Sequence, residues 1–488
     1  MTEEVAPMSS SKSSADAEQH TLSARGVLAT TPCRTDLKEL GEGFSSPYDP
    51  ITNPDGYLIL LCSESKLMMR ELLAKFHEIS SKELLPEWST GYGMMAGHCS
   101  MRKGYASMME NSGWSGVPID PDAIAFQAGC AVLVDCLSWC LADDRDVCII
   151  PGPIYPAFYQ DFKARAKVTL HVMALEEEKK YLPTREDLEK AYTKCVKNGT
   201  QPRLFLICQP VNPTGAIYPY DTMKLMIDWC LEKGLHVISD EIYANSIFPG
   251  ETMISAAHIM FNKLSDEEKK GSSKDYLGNF VHIIHGLSKD FGLAGVRVGA
   301  LLSHNKELHK AVESLGIFQC VSGPTQSLVA SMMADEQWVN WFVIEHKVRI
   351  KRCYDAMVDA LSVCDLVKIF PAQGTLFAWC DFSAYLANQP NATWEDEQTL
   401  WKELFHEYKV LFTTGQSCAA TKPGMFRICY CFPTIVSDRV VDNSTDNSTE
   451  VDNSTEGMEV DVGVAMRELK SRLNRWVATK KSGDCTIV

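Results

Sequence analysis

Across 488 residues the chain carries 47 basic and 63 acidic side chains, a formal net charge of −16, with 45% hydrophobic and 23% charged residues. That composition excludes wholesale disorder, and no apolar run nears the ~20 residues that cross a bilayer, so no transmembrane segment is expected. The acidic balance argues against nucleic acid as a partner, because phosphate binding needs a basic face.

The start, "MTEEVAPMSSSKSSADAEQH", is polar with no apolar core, so no secretory signal is expected and residues 1–46 read as an N-terminal tail. Eighteen cysteines with neither such a signal nor a CxxC pair point to reduced thiols in a cytoplasmic protein, with no metal site. From about 120 to 305, short apolar or β-branched runs alternate with helical patterns. Strands are predicted at 147–150, 168–173, 204–208, 236–239, 280–285 and 298–302, and helices over 131–144 and 221–234, the latter closed by Gly234. This alternation predicts an α/β fold, a mainly parallel sheet with helices on both faces and ligands bound beyond the carboxyl ends of its strands.

Past 305 the pattern changes to long helices up to about 364, strand candidates at 366–370 and 376–382, a helix around 394–409 and a last helix from about 462 to 479. A large domain is therefore expected over 90–330, with a smaller α+β domain formed by 47–89 and 331–488. Residues 442–461 hold seven acids and no base within "DNSTDNSTEVDNSTEG". A tract so polar buries too little surface to fold, and 440–458 is expected as a disordered insertion. Its Asn-Ser-Thr triplets match a glycosylation acceptor and, without a signal, are expected unmodified. The final "CTIV" resembles a prenylation box with Cys485 as acceptor and Lys480 and Lys481 upstream; valine is not among the usual last residues, so an unmodified tail is expected.

Chemistry gathers at the predicted strand ends. "QPVNPTG" after 204–208 is a tight turn presenting Asn212, and "ISDEIY" ends a buried run on Asp240 with Tyr243 three residues later. An acid there is costly unless it meets a cation or a donor. "PGPIYPAF" sets Tyr155 between prolines, and "FQAGCAVLVDC" opens a helix whose free N–H groups around Cys130 and Ala131 suit an anion. "HGLSKDFGLAGVRVG" adds Lys289 and Arg297. Singly each has a bland reading as turn builder, core aromatic or helix cap; all of them at one sheet edge do not.

In these motifs, and in "MFRI", the chain resembles the class I/II pyridoxal-phosphate (PLP) enzymes of the aspartate-aminotransferase fold, and within them the 1-aminocyclopropane-1-carboxylate synthase-like branch. The resemblance runs from "NPDGYLILLCSESKL" to "PGMFRICYCF" and implies a seven-stranded-type sheet in the large domain, bound PLP and a homodimer acting on an amino acid. It implies that Lys289 anchors the PLP aldehyde and then serves as base at the substrate Cα. Asp240 would keep the ring nitrogen protonated, Tyr243 and Asn212 would donate to the phenolic oxygen, and Tyr155 would stack on the ring. Arg297 and Ser288, with the N–H groups near Cys130 and Ala131, would hold the phosphate. Arg427 would clamp the substrate carboxylate, with Glu64 also in the substrate site.

Three positions depart from the pattern: Ser65 stands for an asparagine, Met95 for an aromatic and Gly286 for a phosphate-binding serine. The first two predict a looser side-chain pocket and count against cyclopropane closure. Transamination, β-elimination on cysteine conjugates by a carbon–sulfur lyase and cyclopropane formation share one carbanion, so the core residues do not separate them. Transamination-like chemistry, as in secondary-metabolite biosynthesis, is the broad expectation. A PLP-fold binding protein without turnover is the least favoured, because such a relative would be free to lose the lysine and its neighbours.

Overall fold

The computed structural model describes residues 21–30, 37–82, 85–270, 275–432 and 456–482. After a short β1 (Leu58–Ile59) come seven strands: β2 (Ile124–Gln127), β3 (Val147–Pro151), β4 (Thr169–Met173), β5 (Pro202–Cys208), β6 (His236–Asp240), β7 (Val281–Gly286) and β8 (Gly299–Ser303). They form one sheet in the order β2-β8-β7-β6-β5-β3-β4. The pairs among β3 to β7 are parallel, whereas β8 runs antiparallel to both β2 and β7. The mixed α/β architecture expected from the sequence is therefore present, with its six predicted strands and one, β2, that the sequence did not announce. The turn of β8 has a simple cause. Between β7 and β8 lies only a four-residue helix, Leu287–Asp290, and a short 3-10 turn, too little to cross the sheet and return parallel.

Side-chain alternation divides the core between the two faces. Cys148, Leu204, Leu206, Ile238 and Leu301 meet Leu133 and Leu137 of the helix Cys130–Leu141 on one face. Ile149, Phe205, Ile207, Val237 and Ile283 meet Met226 and Trp229 of the helix Tyr220–Lys233 on the other. Strands buried on both faces read as unbroken apolar runs, and each such side chain contributes roughly 1.5–3 kcal/mol by leaving water. The helix Tyr220–Lys233 ends where expected: Gly234 adopts φ 67° and its N–H caps Cys230 and Leu231 carbonyls.

The later part of the chain forms a four-stranded antiparallel sheet. Its strands β9 (Lys368–Ile369), β10 (Phe377–Asp381), β12 (Thr413–Thr414) and β13 (Met425–Cys429) lie in the order β12-β13-β10-β9, while β11 (Val410–Leu411) pairs with β1. The long helices predicted over 305–364 are three, Lys306–Leu315, Gly323–Ala334 and Glu336–Leu361. The last helix, Glu456–Ser482, packs along Glu336–Leu361 and begins within the segment read as an insertion; residues 440–455 and the terminal "CTIV" with Cys485 lie outside the described residues. Inside the segment read as a tail, the helix Leu37–Ser45 packs Leu40 on the core. Among the described residues no helix is long and apolar enough to cross a membrane. We propose the division of the chain into 90–330 and 47–89 with 331–488 as its working domains. The β1 pairing fixes the course of the early chain: Leu58 to Leu61 runs between β11 and β13 (Leu60 N to Leu411 O 2.9 Å, Cys429 N to Leu60 O 2.8 Å) and leads straight into Ser63.

Candidate active site

Strands β3, β5, β6 and β7 end on the same edge, and the residues at and just beyond those ends face one cavity of ≈ 190 Å³. Asp240 closes β6. Asn212 and Tyr243 follow β5 and β6, Tyr155 follows β3, and Ser288 and Lys289 follow β7. Cys130 and Ala131 open the helix after β2, and Arg297 precedes β8. All nine residues expected to touch the cofactor line this cavity.

Lys289 is the centre of the arrangement. Its Nζ donates to the Ser63 carbonyl, and burial, reinforced by the Arg427 charge, holds its ammonium below the ordinary lysine range. Ser63 serves twice, since its Oγ is hydrogen-bonded to the Tyr243 hydroxyl at 2.7 Å. Asp240 is 6% exposed, accepts from Ile242 N at 3.2 Å, and burial pushes its carboxyl up to about 7, with Glu241 adding to the rise. A carboxyl in that state stabilises a cation brought to it more than water does.

Arg427 on β13 is 1% exposed and spans the two sheets. It donates to Asn212 Oδ1 at 2.9 Å, Leu61 O at 3.0 Å and Thr413 Oγ1 at 3.1 Å, and lies over the Phe377 ring. Its Nε has no hydrogen-bond partner among the described residues, an orphaned donor in a buried site. Glu64 is ion-paired with Lys66 and does not line the cavity.

At the anion end, Arg297 sits at φ 54° with its fork on the carbonyls of Ala294 (3.0 Å) and Ala128 (3.2 Å). Gly129 takes φ 107° beneath it, and a Cβ there would stand 2.6 Å from Arg297 Nη2, so only glycine lets guanidinium and helix start converge. The departure at Gly286 also has a cause. A Cβ at 286 would meet Val298 O at 2.8 Å and Cys130 Sγ at 3.0 Å, so the Cys130 thiol fills the space a serine would need.

Within one chain, the two positions expected to loosen the pocket, Ser65 and Met95, lie away from the Lys289 cavity. Ser65 is buried and turned to His346 Nε2 at 3.0 Å, and Met95 lines a separate cavity with Trp88, Tyr92 and His98; neither reaches the Lys289 cavity. Conversely, sequence reasoning missed Ser63, which acts through its carbonyl as well as its hydroxyl, and Asp161, which lines the cavity from the helix Phe158–Lys163. It also missed Asp290, fully buried next to Lys289, which accepts from Asn245 N at 2.8 Å, Ser246 Oγ at 2.6 Å and the His285 ring at 2.9 Å. Those bonds tie the lysine's helix to the turn that carries Tyr243. The only forward signal for Asp290 was an acid beside a lysine in a glycine-rich turn.

A family model described as "Aminotransferase class I and II" matches residues 68–442. Among curated proteins, 1-aminocyclopropane-1-carboxylate synthase 1 of Oryza sativa subsp. indica is 31% identical over 398 residues, covering 79% of each chain. The synthase 6 of Oryza sativa subsp. japonica is 29% identical over 423 residues, 84% of this chain and 75% of its own. Among solved structures, an aspartate aminotransferase double mutant of Thermus thermophilus superposes with a TM-score of 0.70 over 94% of this chain and 100% of its own. The aspartate aminotransferase of Thermotoga maritima gives 0.68 over the same shares. Both are 17% identical in sequence, a likeness of fold.

Proposed function

Because the chain belongs to the aminotransferase class I and II family, we propose that it moves an amino group between an amino acid and a 2-keto acid, beginning at the donor's Cα–H bond. Enzymes of this family work with pyridoxal 5′-phosphate, and this chain is one of them. The convergence of Lys289, Asp240 and Arg297 on one cavity carries the reading.

The residues present fit the cofactor. Asp240 offers a buried carboxyl to a cationic ring nitrogen, and Lys289 offers an amine to an aldehyde. The helix start at Cys130 and Ala131, with Ser288 and Arg297, offers N–H and guanidinium donors to a phosphate. The orphaned Nε beside the Arg427 fork suits a carboxylate.

Bound there, the cofactor supplies an electron sink for the pair left at the substrate Cα. Lys289 Nζ would take the proton from the substrate Cα and release it again within the site; burial and the Arg427 charge disfavour its ammonium and so favour the neutral amine that acts as base. Asp240 holds negative charge against the ring nitrogen. Tyr155 would offer an aromatic face to the ring, and Tyr243 and Asn212 would offer donors to its phenolic oxygen. Arg427 would orient the substrate by its carboxylate. The working form is a homodimer. Supporting this, Tyr92 and Phe318 are 96% and 80% exposed on segments that border the second cavity.

The test supplies holoenzyme with amino-acid donors and a keto-acid acceptor and quantifies both products. Transfer by the wild type and none by Lys289→Ala is the expected result; no new amino acid from any donor sinks the reading. Cyclopropane formation is the second reading, favoured by the names of the plant relatives. Release of 1-aminocyclopropane-1-carboxylate from S-adenosylmethionine would put it first, and thiol plus pyruvate from a cysteine conjugate would mark a carbon–sulfur lyase.

A further inference from the structure

One carboxyl in the cavity has no part in the chemistry above. Asp161 projects from the helix Phe158–Lys163 into the space lined by Asp240, Tyr155, Cys130 and Lys289. Among the described residues its carboxyl makes no hydrogen bond and no ion pair. The arginine on the next turn, Arg165, is committed to Asp135 at 3.2 Å. The two cations of the cavity are also engaged elsewhere, Lys289 on the Ser63 carbonyl and Arg297 on the carbonyls of Ala128 and Ala294.

The groups that face Asp161 from neighbouring elements are therefore mostly acids or weak acids. Asp240 stands at the end of β6, and Asp135 and Cys130 lie on the helix Cys130–Leu141, with the Tyr155 hydroxyl in the loop before Asp161's own helix. Like charges sharing a confined, poorly solvated space do not all ionise together. Burial, with Asp240 and Asp135 adding to it, pushes the Asp161 carboxyl up to about 7.

We propose that Asp161 is a positioning residue for the cofactor: protonated, it forms a neutral wall beside the ring and phosphate subsites, and ionised, it repels the phosphate and weakens binding. The inference rests on the cofactor reading and deepens it. The reason is charge economy. Asp240 must be ionised to hold a cationic ring nitrogen, and the phosphate at Cys130 and Ala131 brings further negative charge. A second anion facing both is offset only by Arg297, already on the carbonyls of Ala128 and Ala294, and by a Lys289 ammonium that burial disfavours, so the occupied site favours Asp161 with its proton on.

Linkage gives the sign. A site that binds its ligand with one more proton than it holds when free loses affinity as pH rises past the free-state pKa, by up to ~10-fold per pH unit. The experiment titrates the full-length chain with 4′-deoxypyridoxine 5′-phosphate, which has no aldehyde and so reads the subsites without a bond to Lys289. Wild type is compared with Asp161→Asn at pH values from about 6 to about 9. Ring nitrogen, phosphate and Asp240 titrate in both proteins, so the difference between the two profiles isolates Asp161. The expected result is a dissociation constant that rises more steeply above about pH 7 in the wild type, by up to ~10-fold per pH unit relative to the variant. Should Asp161→Asn not fold, Asp161→Ser supports the same comparison. Parallel profiles with tight binding in both proteins overturn the role of Asp161 and leave the cofactor reading standing. No binding by either protein overturns both.

Discussion

Replacing Lys289 by alanine separates what the lysine does for chemistry from what it costs the fold. The ammonium is disfavoured by burial and by Arg427, and among the described residues its one hydrogen bond goes to the Ser63 carbonyl. A lysine whose folded pKa lies below its unfolded value destabilises the protein at every pH below that folded value, and the penalty fades as pH rises toward the unfolded pKa of about 10.4. Alanine removes the penalty and forfeits one charged hydrogen bond, worth about 1.5–3 kcal/mol. The two changes oppose each other, so the net change in apoprotein stability is expected within about 1 kcal/mol, or about 1 °C in Tm for a chain of 488 residues. Turnover should fall at least ~10²-fold, since the proton transfer alone is worth about 10²–10⁴-fold. The assays are differential scanning calorimetry of the cofactor-free protein and amino-transfer kinetics of the loaded one, with the visible absorbance of lysine-bound cofactor as a third readout. Retained turnover would remove Lys289 from its role. A Tm loss above about 4 °C, or about 4 kcal/mol, would instead show that the side chain holds the fold together, contrary to the electrostatic argument.

The other predictions concern groups whose protonation or geometry the fold controls. Asp240→Asn should retain cofactor yet lose most of the rate. Its folded carboxyl, near 7, lies above the unfolded value, so ionising it opposes folding; the cofactor-free variant should be more stable than wild type at pH 8 by on the order of 4 kcal/mol, with the gain gone below about pH 4. Urea titrations across that range check this, and equal stability at pH 8 would mean that Asp240 is better solvated than its burial indicates. His282 and His236, on the neighbouring strands β7 and β6 and hydrogen-bonded to each other at 3.1 Å, are held neutral by burial down to about 3 and about 4. The unfolded chain takes up protons first, so stability should drop as pH falls from about 6.5 to about 3, and His282→Asn should flatten that acid limb. Arg427→Lys should raise KM for amino acids ~10²-fold or more, because one ammonium cannot serve Asn212, Leu61, Thr413 and a carboxylate together. An unchanged KM would place the substrate carboxylate elsewhere.

What the sequence disclosed about this site depended on how far a residue's role could be read from its immediate neighbours. Asp240, Asn212, Tyr155 and Lys289 each follow a strand-like run, and a parallel sheet delivers the ends of its strands to one edge whatever their order. Their convergence was therefore legible before the strand order was. Strand β2 was not, because "IAFQ" is four residues long and alternates too briefly to be told from a turn. The direction of β8 was hidden for another reason. Strand-like composition carries no sign, and the shortness of the β7–β8 connection emerges only once "LSKDFGLAGV" is seen not to be a crossover helix.

Ser63 and Asp161 mark the limit of that kind of reading. Ser63 enters the site because β1 pairs with β11 more than three hundred residues away, and that pairing threads 58–61 past β13 to bring a main-chain carbonyl onto the Lys289 amine. A main-chain carbonyl has no sequence signature at all. Asp161 lies on a six-residue helix amid Gln160, Lys163 and Arg165, a context that reads as a solvated face. Only the packing of that helix on Cys130–Leu141 turns its carboxyl inward. The two cases differ in consequence. Substituting Ser63 removes its hydroxyl from Tyr243 while leaving its carbonyl on Lys289, so Ser63→Ala should shift the Tyr243 side of the site alone. The absorbance of lysine-bound cofactor should then change its pH midpoint with amino-transfer KM little altered; a large rise in KM with an unmoved midpoint would show that the segment orients substrate and not the cofactor's oxygen.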